Sequence, residues 1–244
     1  MGQAADGGSR LSTGIGGLDG ILAGGLERDR LYLLQGVPGS GKTTMALQFL
    51  LEGLARGEQV LYVTLSETRE ELRESAASHG WNLDGVHVHE LAPLGDQLDP
   101  EAQYSMFHPS EVELAETTTR ILEDVERLRP QRVVFDSLSE IRLLAGSALR
   151  FRRQILALKQ YFVGRGCTVI LIDDQQGLRE GMHMHTIVHG AIELEQMRPE
   201  FGGDRRRLRV TKMRGRDFRS GNHDYVIETG GVRVFPRLVA AEHR

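Results

Sequence analysis

One cysteine in 244 residues leaves nothing from which to build a disulfide framework. That residue, Cys167, lies in the apolar run CTVILI, where a small buried hydrophobe is the expected role rather than a nucleophile or metal ligand. So little cysteine points to a reduced, cytoplasmic setting. Long apolar runs are missing too. Nothing approaches the roughly 18 residues of a membrane span, and the opening MGQAADGGSR lacks the apolar stretch of a secretory leader. The expectation is a soluble protein with no membrane partner. Excess positive charge is also absent: 30 Lys and Arg against 34 Asp and Glu give a formal net charge of -4, so no overall field draws the molecule onto nucleic acid. The run Arg205-Arg206-Arg207 is a local exception that reads as a solvated surface turn. Nucleic acid is not an expected partner.

What the chain does contain is enough apolar material, 40% of residues, for one sizeable core. Short β-rich runs alternate with helical ones. The strands are LYLLQG (31–36), QVLYVTL (59–65), VHVHEL (86–91), RVVFD (132–136) and CTVILIDD (167–174). Between them, 42–56 carries apolar residues at helical spacing, and 68–78 opens with the capping-box pattern T-R-E-E. Ser110 begins a similar pattern ahead of a long helix ending near Pro130, and 149–166 reads as a further helix. After His185 the pattern changes to closely spaced strands, AIELEQ, RRLRVTKM, HDYVIE and GVRVF, which read as antiparallel hairpins. Residues 92–109 have no clear period and read as a loop. The expected architecture is α/β: a mainly parallel sheet flanked by helices, with C-terminal antiparallel strands. Residues 1–11 read as a flexible N-terminal segment and 12–244 as a single domain.

The strongest chemical signal is GVPGSGKTT (36–44), which satisfies G-x-x-x-x-G-K-[ST] between a strand and an amphipathic helix. Phosphate needs close backbone approach, so Gly39 and Gly41 clear the way while the N–H groups around Ser40 and the helix N-terminus point at the anion. Lys42 is expected on the β- and γ-phosphates and Thr43 on Mg²⁺. A second acid is then required for the magnesium shell, and Asp136 at the end of RVVFD supplies it. Strand carboxyl ends share one crevice in a parallel sheet, which brings Glu67 of VLYVTLSET near the same place. Glu67 is either a base for the attacking water or a helix-proximal acid beside Thr68.

Several motifs in one order give the chain a wider resemblance. STGIGGLDGILAGGL (12–26), GVPGSGKTT, VLYVTLSETREEL, ASHGWNL, VVFDSLSEIRLL, KMRG (212–215) and VFPRL (234–238) together resemble the KaiC-like branch of the RecA superfamily. The resemblance implies a RecA-like P-loop NTPase core that binds ATP with Mg²⁺ and assembles as a homo-oligomeric ring, typically a hexamer, with ATP at the subunit interfaces. It assigns Gly39 to Thr44, that is Gly39, Ser40, Gly41, Lys42, Thr43 and Thr44, to the phosphate loop, Asp136 to the metal and Ser78 to the nucleotide. Lys212, Met213 and Arg214 fall in KMRG, whose cations a neighbouring subunit is expected to insert toward the γ-phosphate. Lys212 and Arg214 share one strand face, so an exposed cationic edge is the alternative. Only the location of Arg216, Phe218, Glu228 and Thr229 carries over, as the region that cups base and ribose. The family usually shows two adjacent glutamates where this chain has Ser66-Glu67, so slow hydrolysis is expected, with Glu67, Lys42, Lys212 and Arg214 as the catalytic set. The alternatives are an ATP-held oligomeric scaffold and a recombinase-like DNA-dependent ATPase. Autokinase activity is not expected, because MHMHTIVHG offers only Thr186. His183, His185 and His189 of that stretch read as polar surface rather than as a metal site.

Overall fold

A computed structural model describes residues 10–90, 109–174 and 181–238, with the side chains of 109–116 and 181–183 left aside. The segment 1–9 and most of the expected loop at 92–109 lie outside those residues. The chain enters through β1 (Arg10–Leu11), which pairs antiparallel with β2 (Leu26–Glu27) around the short α1 (Leu18–Ile21). There follow β3 (Leu31–Gly36), α2 (Lys42–Ala55), β4 (Val60–Thr64), α3 (Arg69–Ser78), β5 (His87–Glu90), α4 (Pro109–Leu128) and β6 (Arg132–Asp136). Next come α5 (Leu138–Ala145), α6 (Ala148–Phe162), β7 (Thr168–Asp174), α7 (Gly181–Ile187), β8 (Gly190–Met197), β9 (Arg205–Met213), β10 (His223–Glu228) and β11 (Gly231–Phe235).

The main sheet has nine strands in the order β11-β10-β9-β8-β3-β7-β6-β4-β5. From β8 to β5 every pair is parallel, and from β8 to β11 every pair is antiparallel. The C-terminal strands extend the sheet as antiparallel neighbours, as expected, and AIELEQ makes the join. It lies in β8, parallel to β3 on one side and antiparallel to β9 on the other.

Alternation along β3 explains why a continuous apolar run is needed there. Tyr32 and Leu34 enter one core with Met45, Phe49 and Leu50 of α2, while Leu31 and Leu33 enter the other with Ile141, Phe151, Ile155 and Leu158 of α5 and α6. A parallel strand covered on both faces has no polar side to show. Each such side chain contributes about 1.5–3 kcal/mol when fully buried. Thr68 caps α3 by accepting from Glu71 N–H, and Glu71 bonds back to Thr68, so the capping box forms.

Arg132 is a charged residue within the core, fully buried at the start of β6. Its guanidinium donates to Glu58 (2.5 Å), Ser12 O (2.8 Å) and Phe49 O (2.7 Å), and lies 4.7 Å over the Phe49 ring. Gly53 makes the room: a Cβ there would stand 2.5 Å from Arg132 Cδ. One buried cation thus ties the N-terminal segment and α2 to the central sheet. Burial alone would raise the Glu58 carboxyl, but the bonds and charges of Arg132 and Arg28 outweigh it and hold Glu58 below the usual range.

Candidate functional site

The carboxyl ends of β3, β7, β6 and β4 lie side by side, and four chain segments deliver polar groups there. From β3 the chain turns through Val37–Gly41 into α2. Gly39 and Gly41 have φ of 78° and 90°, the left-handed region that favours glycine. Only Gly41 is also sterically cornered, since a Cβ would meet Ile227 Cδ1 at 2.6 Å. Lys42 Nζ donates to Gly36 O (2.8 Å) and Val37 O (3.1 Å) and pairs with Asp174 at 2.9 Å. The C-terminal strands brace this loop: Tyr225 Oη of β10 donates to Ser40 O at 2.6 Å.

Asp136 ends β6 and meets the loop as its register demands. Thr43 Oγ1 donates to Asp136 Oδ2 at 3.0 Å, and Tyr62 Oη donates to the same oxygen at 2.5 Å. Burial raises the Asp136 carboxyl, while the bonds from Tyr62 and Thr43 and the charge of Lys42 pull against it. Next to it, β7 ends in Asp173 and Asp174. Asp173 is buried against Arg142 of α5 (2.8 Å), and Asp174 holds Lys42 and accepts from Ser139 at 3.3 Å. Neither aspartate was assigned from sequence, although CTVILIDD carries both at its end. Only the pairing of β7 directly beside β3, Gly36 opposite Asp174, reveals their place.

A hydroxyl and a carboxylate are oxygen donors that suit Mg²⁺, which takes one or two protein ligands and completes its shell from water and substrate phosphate. Thr43 and Asp136 fit that requirement. Among the described residues no trio of His, Cys, Asp or Glu could cage a metal by itself. His185 Nε2 instead meets Gln35 Oε1 at 3.1 Å, and His189 lies 3.1 Å from Glu27.

Beyond β4, the Thr64 hydroxyl accepts from Glu67 N–H (3.0 Å) and donates to Glu67 O (2.7 Å), closing a tight turn. Ser66 and Glu67 are both exposed. Partial burial of the Glu67 carboxyl, then the charges of Asp136 and Glu71, raise it above the ordinary glutamate value. The capping acid of α3 is Glu71, not Glu67. The Ser78 hydroxyl turns back onto Ser75 O (2.7 Å), and its neighbour His79 touches the phosphate-loop helix, with Nε2 3.4 Å from Thr44 Oγ1 and Nδ1 3.1 Å from Glu228 O.

Lys212 and Arg214 are anchored on main-chain carbonyls at the end of α7. Lys212 Nζ donates to His185 O and Val188 O (2.9 Å), Arg214 to Thr186 O (2.6 Å), and Lys159 of α6 to Ile187 O (2.8 Å). Met213, between the two, pairs with Gly190 across β8 and β9. Three cations thus gather on the last carbonyls of α7, the end of a helix that favours positive charge.

Fold and site together define a P-loop nucleotide-binding domain of the RecA type. A family model described as "ATPase: KaiC" matches residues 11–239. The chain belongs to that family. It is 32% identical over 246 residues to a UPF0273 protein of Methanopyrus kandleri, covering 96% of this chain and 95% of the relative. It is 27% identical to the circadian clock protein KaiC3 of Synechocystis over 96% of its own length but only 47% of that protein's. The crystal structure of a KaiC-like protein from Pyrococcus horikoshii superposes with a TM-score of 0.77 at 26% identity, covering 93% of this chain and 99% of the other.

Proposed function

We propose that this chain is a cytoplasmic, magnesium-dependent ATPase that turns over slowly and works as a homo-oligomeric ring, a hexamer, with ATP at the subunit interfaces and its nucleotide state regulating partner proteins. The observation that carries the reading is the convergence on one crevice of Lys42, Thr43 and Asp136, with the backbone of Gly36–Gly41 shaped for phosphate. Magnesium, held through Thr43 and Asp136, would supply charge neutralisation on the phosphates. Glu67 is the base in this reading: its raised carboxyl sits near enough to Asp136 to feel its charge. Lys212 and Arg214 are the cations offered to a neighbour's γ-phosphate. Their anchoring on the carbonyls at the end of α7 supports action in trans.

Ser66 keeps a second reading in play, an ATP-held scaffold with lost catalysis, since a serine in the strand-end turn cannot take up a proton. Two of the three arginines of the run 205–207 are engaged with an acid, which weakens the case for a DNA-dependent ATPase. Arg205 and Arg207 pair with Asp224 at 3.2 and 3.4 Å, and Arg209 pairs with Glu193 at 2.7 Å. Steady-state phosphate release from Mg-ATP, with ring size measured in each sample, separates the first two. Wild type should turn over, Lys42→Ala should lose nucleotide and ring together, and Glu67→Gln should form rings without phosphate release. Rings with no release above the Lys42→Ala background would leave the scaffold.

A further inference from the structure

We propose that Tyr62 is a positioning residue for the metal-binding pair Thr43 and Asp136, an inference that rests on the magnesium-nucleotide reading above. Tyr62 is completely buried in β4. Parallel pairing sets Tyr62 opposite Val134 and Thr64 opposite Asp136, so the long phenol leans forward along the sheet to the end of β6. There its hydroxyl donates to Asp136 Oδ2 at 2.5 Å, the oxygen that also accepts from Thr43 at 3.0 Å. The main chain of Asp136 is held from the same side, since Leu65 N–H donates to Asp136 O at 2.8 Å. The strand β4 therefore fixes both the backbone and the carboxylate of Asp136.

Two donors on one oxygen stop rotation of the carboxylate about Cβ–Cγ. With Oδ2 taken by two donors, Oδ1 would be the oxygen offered to a cation. Because Thr43 donates its proton to Oδ2, its own oxygen keeps both lone pairs for a cation. Without the phenol, Oδ2 would have Thr43 alone, and the carboxylate could turn so that the threonine rotor followed it. Fixing the donors beforehand removes a cost that would otherwise fall on metal binding.

Tyrosine identity at this position is not demanded by packing, since a phenylalanine would fill the same apolar space. Among the described residues the other buried tyrosines bond main chain instead: Tyr32 to Glu27 O (3.1 Å) and Tyr225 to Ser40 O. Tyr32→Phe is thus a control for the loss of a buried hydroxyl away from the crevice.

The test is Mn²⁺ binding to the ADP-loaded protein, read by the loss of the free-ion EPR signal, alongside ADP affinity in EDTA. A lost buried bond to a charged group predicts a Mn²⁺ half-saturation about tenfold or more weaker in Tyr62→Phe. ADP affinity in EDTA should stay within about twofold, and Tyr32→Phe should lower Tm with no change in Mn²⁺ half-saturation. Wild-type Mn²⁺ binding in Tyr62→Phe overturns the inference, as does an equal loss of ADP affinity with and without metal. If Tyr62→Phe does not fold, 3-fluorotyrosine placed at 62 gives the answer: its fluorine resonance should move when Mg²⁺ is added to the ADP complex, and a stationary resonance overturns the inference. Wild type that binds ADP without any metal dependence overturns the magnesium reading and this inference with it.

Discussion

At the scale of single residues, the proposed ATPase activity turns on the loop after β4. The chain carries Ser66 in that loop, and the neighbouring Glu67 is exposed and raised above an ordinary carboxylate. Ser66→Glu is therefore expected to speed phosphate release by about 10²-fold or more if hydrolysis is limited by the base; an unchanged rate would mean that another step limits turnover. The acid limb of the wild-type rate should also lie above the ordinary glutamate pKa, and Glu67→Gln should abolish it. Gly41→Ala should cost most of the nucleotide affinity at little distance from the chemistry. Its φ of 90° strains any side chain there, and an added Cβ 2.6 Å from Ile227 Cδ1 would also push that side chain aside. Equilibrium binding of ADP is the measurement. The motif made Lys42, Thr43 and Asp136 legible in the sequence, because fixed spacing and strand ends carry that information. Tyr62 was not legible, since it reads as one more apolar letter in VLYVT and finds its partner 74 residues away only through strand register. Asp174 was hidden for the same reason.

At the scale of elements, β6 is held by the buried Arg132 as much as by its apolar neighbours. Arg132→Ala leaves the partly buried Glu58 with Arg28 alone, so the loss should fall near the lower end of the about 3–5 kcal/mol of a broken buried pair; urea unfolding should show it, with Arg132→Met plus Glu58→Gln losing clearly less. The strand pattern was readable nearly to the residue for β3 and β6. The pairing of β8 was not, because alternation in AIELEQ is the same whether the neighbour runs parallel or antiparallel. That strand has β3 on one side and β9 on the other, and only the three-dimensional order separates the two roles. Likewise KMRG reads as two cations on one strand face, but β9 ends at Met213, so Arg214 lies in the turn beyond it, and both cations meet the end of α7. Their carbonyl partners come from a seven-residue helix that the sequence reading passed over as polar surface.

At the scale of the whole molecule, stability should depend on pH in a definite direction. His185, His189 and His223 are all lowered by burial. His223 is the most constrained: its Nδ1 accepts from Arg237 N–H and its Nε2 lies 3.0 Å from Arg219 O, a bonding pattern of the neutral ring. Below the unfolded value of about 6.5 the unfolded chain takes up protons that the folded one refuses, so stability falls as pH falls through the lowered folded values. Glu58 adds a later loss, beginning near 4.5 and continuing through its depressed folded value. Urea midpoints at pH 7.5 and 5.5 test the first step, and His223→Gln should shrink the difference. For the assembly, mixing Arg214→Ala with Lys42→Ala subunits should recover part of the ATPase rate if Arg214 acts on a neighbour. Mixed rings without recovery would remove that role.

The brace between Tyr225 and Ser40 also has a meaning in time. The phosphate loop leaves the ribosome early, but the hydroxyl that ties down its backbone is encoded 185 residues later. At roughly 5–20 residues per second, a growing chain waits about 10–40 s between making the loop and finishing it. During that interval the nascent protein carries the signature motif without its completed cradle. Nucleotide capture should therefore switch on only when β10 has emerged, making ATP a ligand of the finished chain and not a template for its synthesis.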